Sequence, residues 1–351
     1  MAEPSAVSPE GGRSRGRLLL QGLLALLVSV VALWWAFRGA DFQEMKESLR
    51  RTEPLAVIAF GLGQIAVQGI RILRWGLYMR PLAPRVSNQA LFAAANVGIA
   101  ATFFVPLRLG EFVRPMLIAR SGAPFGGAIS SVVVERIADG LCAVAMFFFF
   151  FALVPDHAPI PDQLGTLSST AAIVFGGGLL FLVLAAMARK PVLGATRAVV
   201  GRISTRLADR LVGMTSTFLD GLQAVGSPGR AAAYILLTAA FWGGSGVLIW
   251  ILAESYQPGL PLVAGMFTVP VLVFAVMIPA GPAFAGTFQW GFILGLGAFG
   301  LPKDAALVIA VVAHAMQMTT MGLFVGVGFL AAEPGQRKEL STPTAPTPGA
   351  P

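Results

Sequence analysis

Nine apolar stretches, most of them close to 20 residues long and poor in charge, recur along this chain and constrain its fold more than any motif does. They run over residues 18–37, 54–77, 88–106, 136–154, 167–188, 230–252, 261–279, 283–300 and 304–330. About 20 apolar residues in an α-helix cross a hydrocarbon layer roughly 30 Å thick. The composition agrees, because 56% of the 351 residues are hydrophobic and only 12% are charged, against about 25% charged in an ordinary soluble domain. A soluble core of this length cannot use so much apolar surface. The sequence predicts an all-α polytopic membrane protein with about six to eight transmembrane helices.

The ends differ from the middle. Residues 1–16 are mostly Ser, Gly, Pro and Arg, and 333–351 ends in TPTAPTPGAP, compositions too poor in apolar residues to pack. The expected organisation is a disordered tail (1–16), one transmembrane domain (17–332) and a disordered Pro-rich tail (333–351). The first stretch follows Arg13, Arg15 and Arg17 as a signal peptide would, but it is too long for one and lacks a small-residue cleavage pattern, so it reads as a retained helix. The single cysteine, Cys142, leaves no intrachain disulfide and no CxxC metal site.

The net charge of +8 points to cytoplasmic loops and anionic lipid rather than to nucleic acid, since no basic run interleaved with aromatics stands in a soluble segment. Positive residues in short loops stay inside a bacterial inner membrane. Arg71, Arg74, Arg80 and Arg85 follow the second stretch, and Arg189, Lys190, Arg197, Arg202, Arg206 and Arg210 follow the fifth. The loop 155–166 has Asp156 and Asp162 but no Lys or Arg, and the turn after Leu252 has only Glu254, so both belong outside. Both termini are then expected in the cytoplasm. Parity requires residues 88–120 to enter the membrane and return to the same side as a re-entrant hairpin.

An internal repeat agrees with this. Pro106, Gly110 and Phe112 match Pro282, Gly286 and Phe288 as P-x-x-x-G-x-F, and Gly122, Pro124 and Ala128 match Gly300, Pro302 and Ala306 as G-x-P-x-x-x-A. The two units, 88–154 and 264–330, are expected to be inverted, with 261–300 forming the second hairpin. Interrupted apolar segments at corresponding places in inverted halves point to a transporter site near the midplane. Arms of this length could also cross completely, giving eight or nine ordinary helices.

Charges inside such segments are the candidates for chemistry. Arg108, Glu111 and Arg114 stand in the first hairpin, and Glu135, Arg136 and Asp139 lead into the next stretch. Each central Arg or Asp costs roughly 2.5–3.5 kcal/mol, so six facing lipid would approach about 15 kcal/mol. They must face each other or water. Glu111 lies three residues from both Arg108 and Arg114, which puts that set on one helical face. Two readings stand: a cavity in which arginines bind phosphate and the carboxylates pair with them when it is empty, or structural ion pairs. On the second stretch Gln64, Gln68, Arg71 and Trp75 form a polar stripe, although Arg71 and Arg74 could instead snorkel to the interface. In the second unit the repeat places His314 opposite Arg136, with Gln317 next on that face and Thr287 and Gln289 in the hairpin. His314 reads either as a proton relay or as a hydrogen-bonded core residue. Gly110 and Gly286 would allow close backbone approach, and Gly176 to Gly178 suggest close helix packing. No HExxH, Walker, GxSxG or paired His/Cys pattern occurs, so neither an enzyme nor a cofactor is expected.

These residues carry a resemblance. Arg71-Ile-Leu-Arg74-Trp75, Gly110-Glu111-Phe-Val-Arg114-Pro115, Gly122-Ala-Pro124, Glu135-Arg136-Ile-Ala-Asp139, Gly286-Thr-Phe-Gln289 and His314-Ala-Met-Gln317 resemble, in order and spacing, the membrane region of the lysylphosphatidylglycerol synthase family. The resemblance runs from about Leu18 to Leu330, and Gln289 stands where members often have an acidic residue. It implies an integral membrane fold, associated in fused members with flipping aminoacylated phospholipid between leaflets. The synthase activity of those members belongs to a soluble domain and does not carry over. The expected function is a flippase-like lipid translocase handling an anionic phospholipid or a polyprenyl-phosphate-linked lipid. The alternatives are a non-transporting subunit that anchors or supplies a lipid-modifying or glycosyl-transferring enzyme, and an intramembrane transferase with Glu135 or Asp139 as base.

Overall fold

The computed structural model describes residues 42–154, 162–202, 204–223, 226–278 and 282–332, with isolated positions between 27 and 38. The two expected tails and most of the first apolar stretch lie outside the described residues. Within the described residues every regular element is helical. The α-helices are α1 (Phe42–Arg51), α2 (Pro54–Met79), α3 (Asn88–Phe104), α4 (Val113–Arg120), α5 (Phe125–Phe151), α6 (Asp162–Met187), α7 (Arg189–Gly201), α8 (Thr205–Leu222), α9 (Pro228–Glu254), α10 (Leu262–Met277), α11 (Thr287–Gly297) and α12 (Lys303–Ala331). Short 3-10 turns at Pro106–Phe112 and Pro282–Phe284 follow α3 and α10. Four helices are long and apolar enough to cross a membrane: α2, α6 over 168–187, α9 and α12.

Two boundaries correct the sequence reading. The apolar stretch expected at 136–154 is the second half of a longer helix, because the small and apolar residues after Pro124 continue α5 back to Phe125. Glu135 therefore sits about 15 Å along the axis at 1.5 Å per residue, in the middle of α5 rather than at its start. The basic stretch after α6, which reads as an inside loop, forms α7 and α8. Ser204 caps α8 through its side chain, and glycines let α8 lie against α5: a Cβ on Gly126 would stand 2.1 Å from Thr217 Oγ1, and one on Gly221 1.8 Å from Ser130 Oγ.

The repeat recurs in the backbone. Helix α3 stops before Pro106, where Val105 takes the extended conformation that a following proline favours, and α10 stops at the extended Ile278. After each short second arm the chain leaves the helix through a left-handed glycine, Gly122 (φ 96°) and Gly300 (φ 81°). The next residue then bonds back to the helix, Ala123 N–H to the Ile118 carbonyl (3.2 Å) and Leu301 N–H to the Leu296 carbonyl (3.4 Å). This is the Schellman closure that glycine makes inexpensive. Pro124 and Pro302 next cap the long helices α5 and α12, accepting from Ala128 and Ala306, both fully buried.

The two units exchange partners. Helix α3 of the first packs along α12 of the second, where Gly328 admits Asn96 and Val97. Helix α10 of the second packs along α5 of the first through Phe147, Phe267 and Phe274. The 3-10 turns meet as well, and beside them Phe103 at the end of α3 lies edge to face with Phe284 of the second turn at 5.7 Å between centroids. Helices α2 and α9 run antiparallel beside this assembly, Gly63 facing Leu248 and Gly244 facing Val67.

Candidate functional site

Four elements bring seven ionised side chains to one place: Arg71 and Arg74 on α2, Glu111 on the first 3-10 turn, Arg114 on α4, and Glu135, Arg136 and Asp139 on α5. Glu135 is the hub. Its Oε1 accepts from Arg71 Nε (3.0 Å), Arg71 Nη2 (2.9 Å) and Arg136 Nη2 (3.1 Å), and its Oε2 meets Arg114 Nη2 at 2.8 Å. Asp139, one turn on, takes a bidentate grip from Arg74 (2.6 and 3.3 Å) and the Trp242 indole N–H (3.1 Å). Arg74 Nη1 also donates to Thr238 (3.1 Å). Arg74, Arg114 and Glu135 are at most 2% exposed. Such charges persist in a low-dielectric interior only because each is paired and hydrogen-bonded.

Local structure explains the convergence. Arg71 and Arg74 share one face of α2, as Glu135 and Asp139 share one face of α5. Arg114 reaches the hub because Gly98 lies against it, where a Cβ would stand 2.1 Å from Arg114 Cγ. Arg71 and Arg74 do not snorkel; the carboxylates of α5 hold them inside. Nor do Glu111 and Arg114 pair with each other. The chain changes from 3-10 to α geometry between them, so Glu111 turns to Arg136 Nη1 (3.6 Å) while Arg114 turns to Glu135. The side chain of Arg108 lies outside the described residues.

A cavity of about 180 Å³ opens beside this network. Its polar wall includes Gln64, Gln68, Arg71, Glu111, Arg136, Asp139 and Gln317, and its apolar wall includes Phe60, Phe103, Phe241, Trp242, Phe284 and Phe288. Both repeat units therefore line it. Gln64 Nε2 donates to Gln317 Oε1 across it at 2.6 Å. Gln68 Oε1, Glu111 Oε1, Arg136 Nε and Gln317 Nε2 are buried without a hydrogen-bond partner among the described residues. Among the described side chains, four guanidiniums against three carboxylates leave the cluster with one net positive charge. Arg136, about one-third exposed, is the most open of the ionised residues that meet in the network.

Thr287, Gln289 and His314 are buried or half-buried but do not line this cavity. Thr287 donates to the Phe284 carbonyl. Gln289 Oε1 accepts from the Gly286 N–H (2.8 Å), which turns its amide NH2 towards His314 Nδ1 (3.0 Å). His314 thus accepts at Nδ1 and carries its proton on Nε2, and Phe288 stacks on its ring at 4.6 Å. The repeat placed His314 opposite Arg136, yet it is Gln317, one turn later, that reaches the cavity. Gly110 and Gly286 are needed for different reasons. A Cβ on Gly110 would stand 2.1 Å from the Ala101 carbonyl oxygen, whereas Gly286 has φ 89°. Gly176 and Gly177 have nothing within 4 Å of a built Cβ, so only Gly178, against Ile137, supports the packing reading of that run. Sequence reasoning passed over Thr238 and Trp242, whose signal is faint: single hydrogen-bonding side chains in an apolar helix. Among the described residues no group of three or more His, Cys, Asp or Glu is arranged to hold a metal ion.

The chain matches the family described as the lysylphosphatidylglycerol synthase TM region over residues 22–326. It belongs to that family. The matched span takes in every residue of the ion network and of the cavity wall. No curated protein and no solved structure matches the chain. Membership and apolar helices together make this a multi-pass membrane protein related to lipid handling.

Proposed function

We propose that this member of the lysylphosphatidylglycerol synthase TM family is a lipid translocase, with the cavity between its two repeat units as the headgroup site. The observation that carries the reading is the buried network with one net positive charge beside a cavity that both units line and that unpaired polar atoms border. A phosphodiester supplies one negative charge and acceptor oxygens for guanidinium N–H groups, and charge-assisted bonds of this kind are strong where water is scarce. Anionic phospholipids and polyprenyl-phosphate-linked lipids both present that chemistry.

In this reading α3 with α4, and α10 with α11, are re-entrant hairpins. At 1.5 Å per residue the 17 residues of α3 and the 11 of α11 span about 25 and 16 Å, short of a layer roughly 30 Å thick. The hairpins enter from opposite sides, meet at Phe103 and Phe284, and gate the cavity alternately. The Lys- and Arg-rich segments between the spanning helices, α7 and α8 included, face the cytoplasm of a bacterial cell together with both termini. The protein acts as a carrier and leaves its lipid chemically unchanged.

The test is reconstitution of the full chain into liposomes with fluorescent phosphatidylglycerol, phosphatidylcholine or a polyprenyl phosphate, following access to an outer-leaflet quencher. Accelerated movement of an anionic lipid, lost in Arg136→Ala, is expected. Equal and protein-independent rates for all of them would overturn the proposal.

A further inference from the structure

A second groove, with no lining residue in common with the central cavity, lies between α2, α3 and α9 and encloses about 780 Å³. Its walls include Leu73 and Leu237, its floor Trp75 and Gly76, and one end carries Arg80 and Arg230. The antiparallel register of α2 and α9 explains that end. Gly63 faces Leu248, Gly244 faces Val67 and Arg74 meets Thr238, so continuing the series brings Arg80 level with Arg230. Arg80, whose Nη1 donates to the Val86 carbonyl (2.8 Å), and Arg230 thus bring two guanidiniums to the mouth of a groove whose lining, among the described residues, includes no carboxylate.

The apolar part is long and open. From residue 72 to residue 79 it follows α2 for about 10 Å at 1.5 Å per residue, and Leu73 is 65% exposed. Gly76 keeps the floor low. A Cβ there meets nothing within 4 Å, so no neighbour among the described residues requires glycine, although mid-helix glycine costs about 0.5–1 kcal/mol against alanine. A basic mouth over an apolar trough has the polarity of one molecule: a phosphate headgroup with an acyl chain.

We propose that this groove binds an anionic phospholipid from the leaflet at the Arg80 and Arg230 end, as a site separate from the translocation cavity. It does not depend on whether the central cavity transports. The full chain would be purified in mixed micelles containing phosphatidylglycerol and phosphatidylcholine, and the lipid retained through delipidation would be counted by native mass spectrometry. Phosphatidylglycerol is expected to be retained preferentially. Arg230→Glu, at an exposed position, is expected to lower its retention about tenfold. Gly76→Phe, whose Cβ meets nothing within 4 Å and whose ring occupies the trough, should do the same while the protein keeps the parent's elution profile, and excess inorganic phosphate should displace little. Equal retention of the two lipids, retention in both variants like that of the parent, or full displacement by inorganic phosphate would each overturn the site.

Discussion

At the scale of single residues, the ion network separates side chains that hold the protein together from one that is available to a ligand. Glu135 serves Arg71, Arg114 and Arg136 at once, and its loss strands Arg71 and Arg114, whereas Arg136 keeps Glu111 and Asp139. Removing one partner of a buried pair typically costs about 3–5 kcal/mol. Glu135→Ala and Arg114→Ala should therefore reduce the amount of folded, inserted protein, read as fluorescence-detected size exclusion and a lowered melting temperature. Arg136 is about one-third exposed and borders the cavity. Arg136→Ala should keep the parent's elution profile and lose lipid movement by about tenfold or more, in line with a charge-assisted contact worth about 1.5–3 kcal/mol. Identical behaviour of Arg136→Ala and Glu135→Ala would make the whole cluster structural.

At the scale of elements, the helix breaks are built from backbone requirements rather than from softness. Gly110 lets the 3-10 turn lie on the end of α3, and Gly122 and Gly300 close the second arms in the left-handed region. Gly110→Val would drive side-chain atoms into the Ala101 carbonyl, a backbone contact that cannot step aside, and should cost at least the about 1–3 kcal/mol of an overpacked core. Gly176→Val places its side chain in open space and should change stability by no more than about 0.5 kcal/mol. Thermal unfolding of the two variants in detergent tests the contrast. A Gly110→Val protein as stable as the parent would mean that the turn does not rest on α3. The same breaks were visible in the sequence as paired P-x-x-x-G-x-F and G-x-P-x-x-x-A motifs, because proline and glycine report backbone geometry directly. The extent of α5 was not, since Gly126 to Val134 are as compatible with a loop as with a helix until α8 packs on them.

At the scale of the whole molecule, exchange of partners between the two units is what makes one cavity from two halves. Reporter fusions test the proposed inversion: a fusion at Ser255 should read periplasmic, and fusions at Arg202 and after Gln336 cytoplasmic. A periplasmic reading after Gln336 would run α12 the wrong way and remove the inverted repeat. What the sequence by itself determined was the membrane class, the family, the two breaks and most of the residues that carry charge, for these follow from hydropathy, glycine and proline, and the cost of charge in hydrocarbon. Only the tertiary structure decided how those residues divide. It turned Arg71 and Arg74 inward, sent Arg114 to Glu135 rather than Glu111, put Gln317 on the cavity and set His314 aside with Gln289. The physical reason is that pairing depends on which helices lie side by side, and α2, α4 and α5 meet through contacts between residues 20 or more positions apart in the chain.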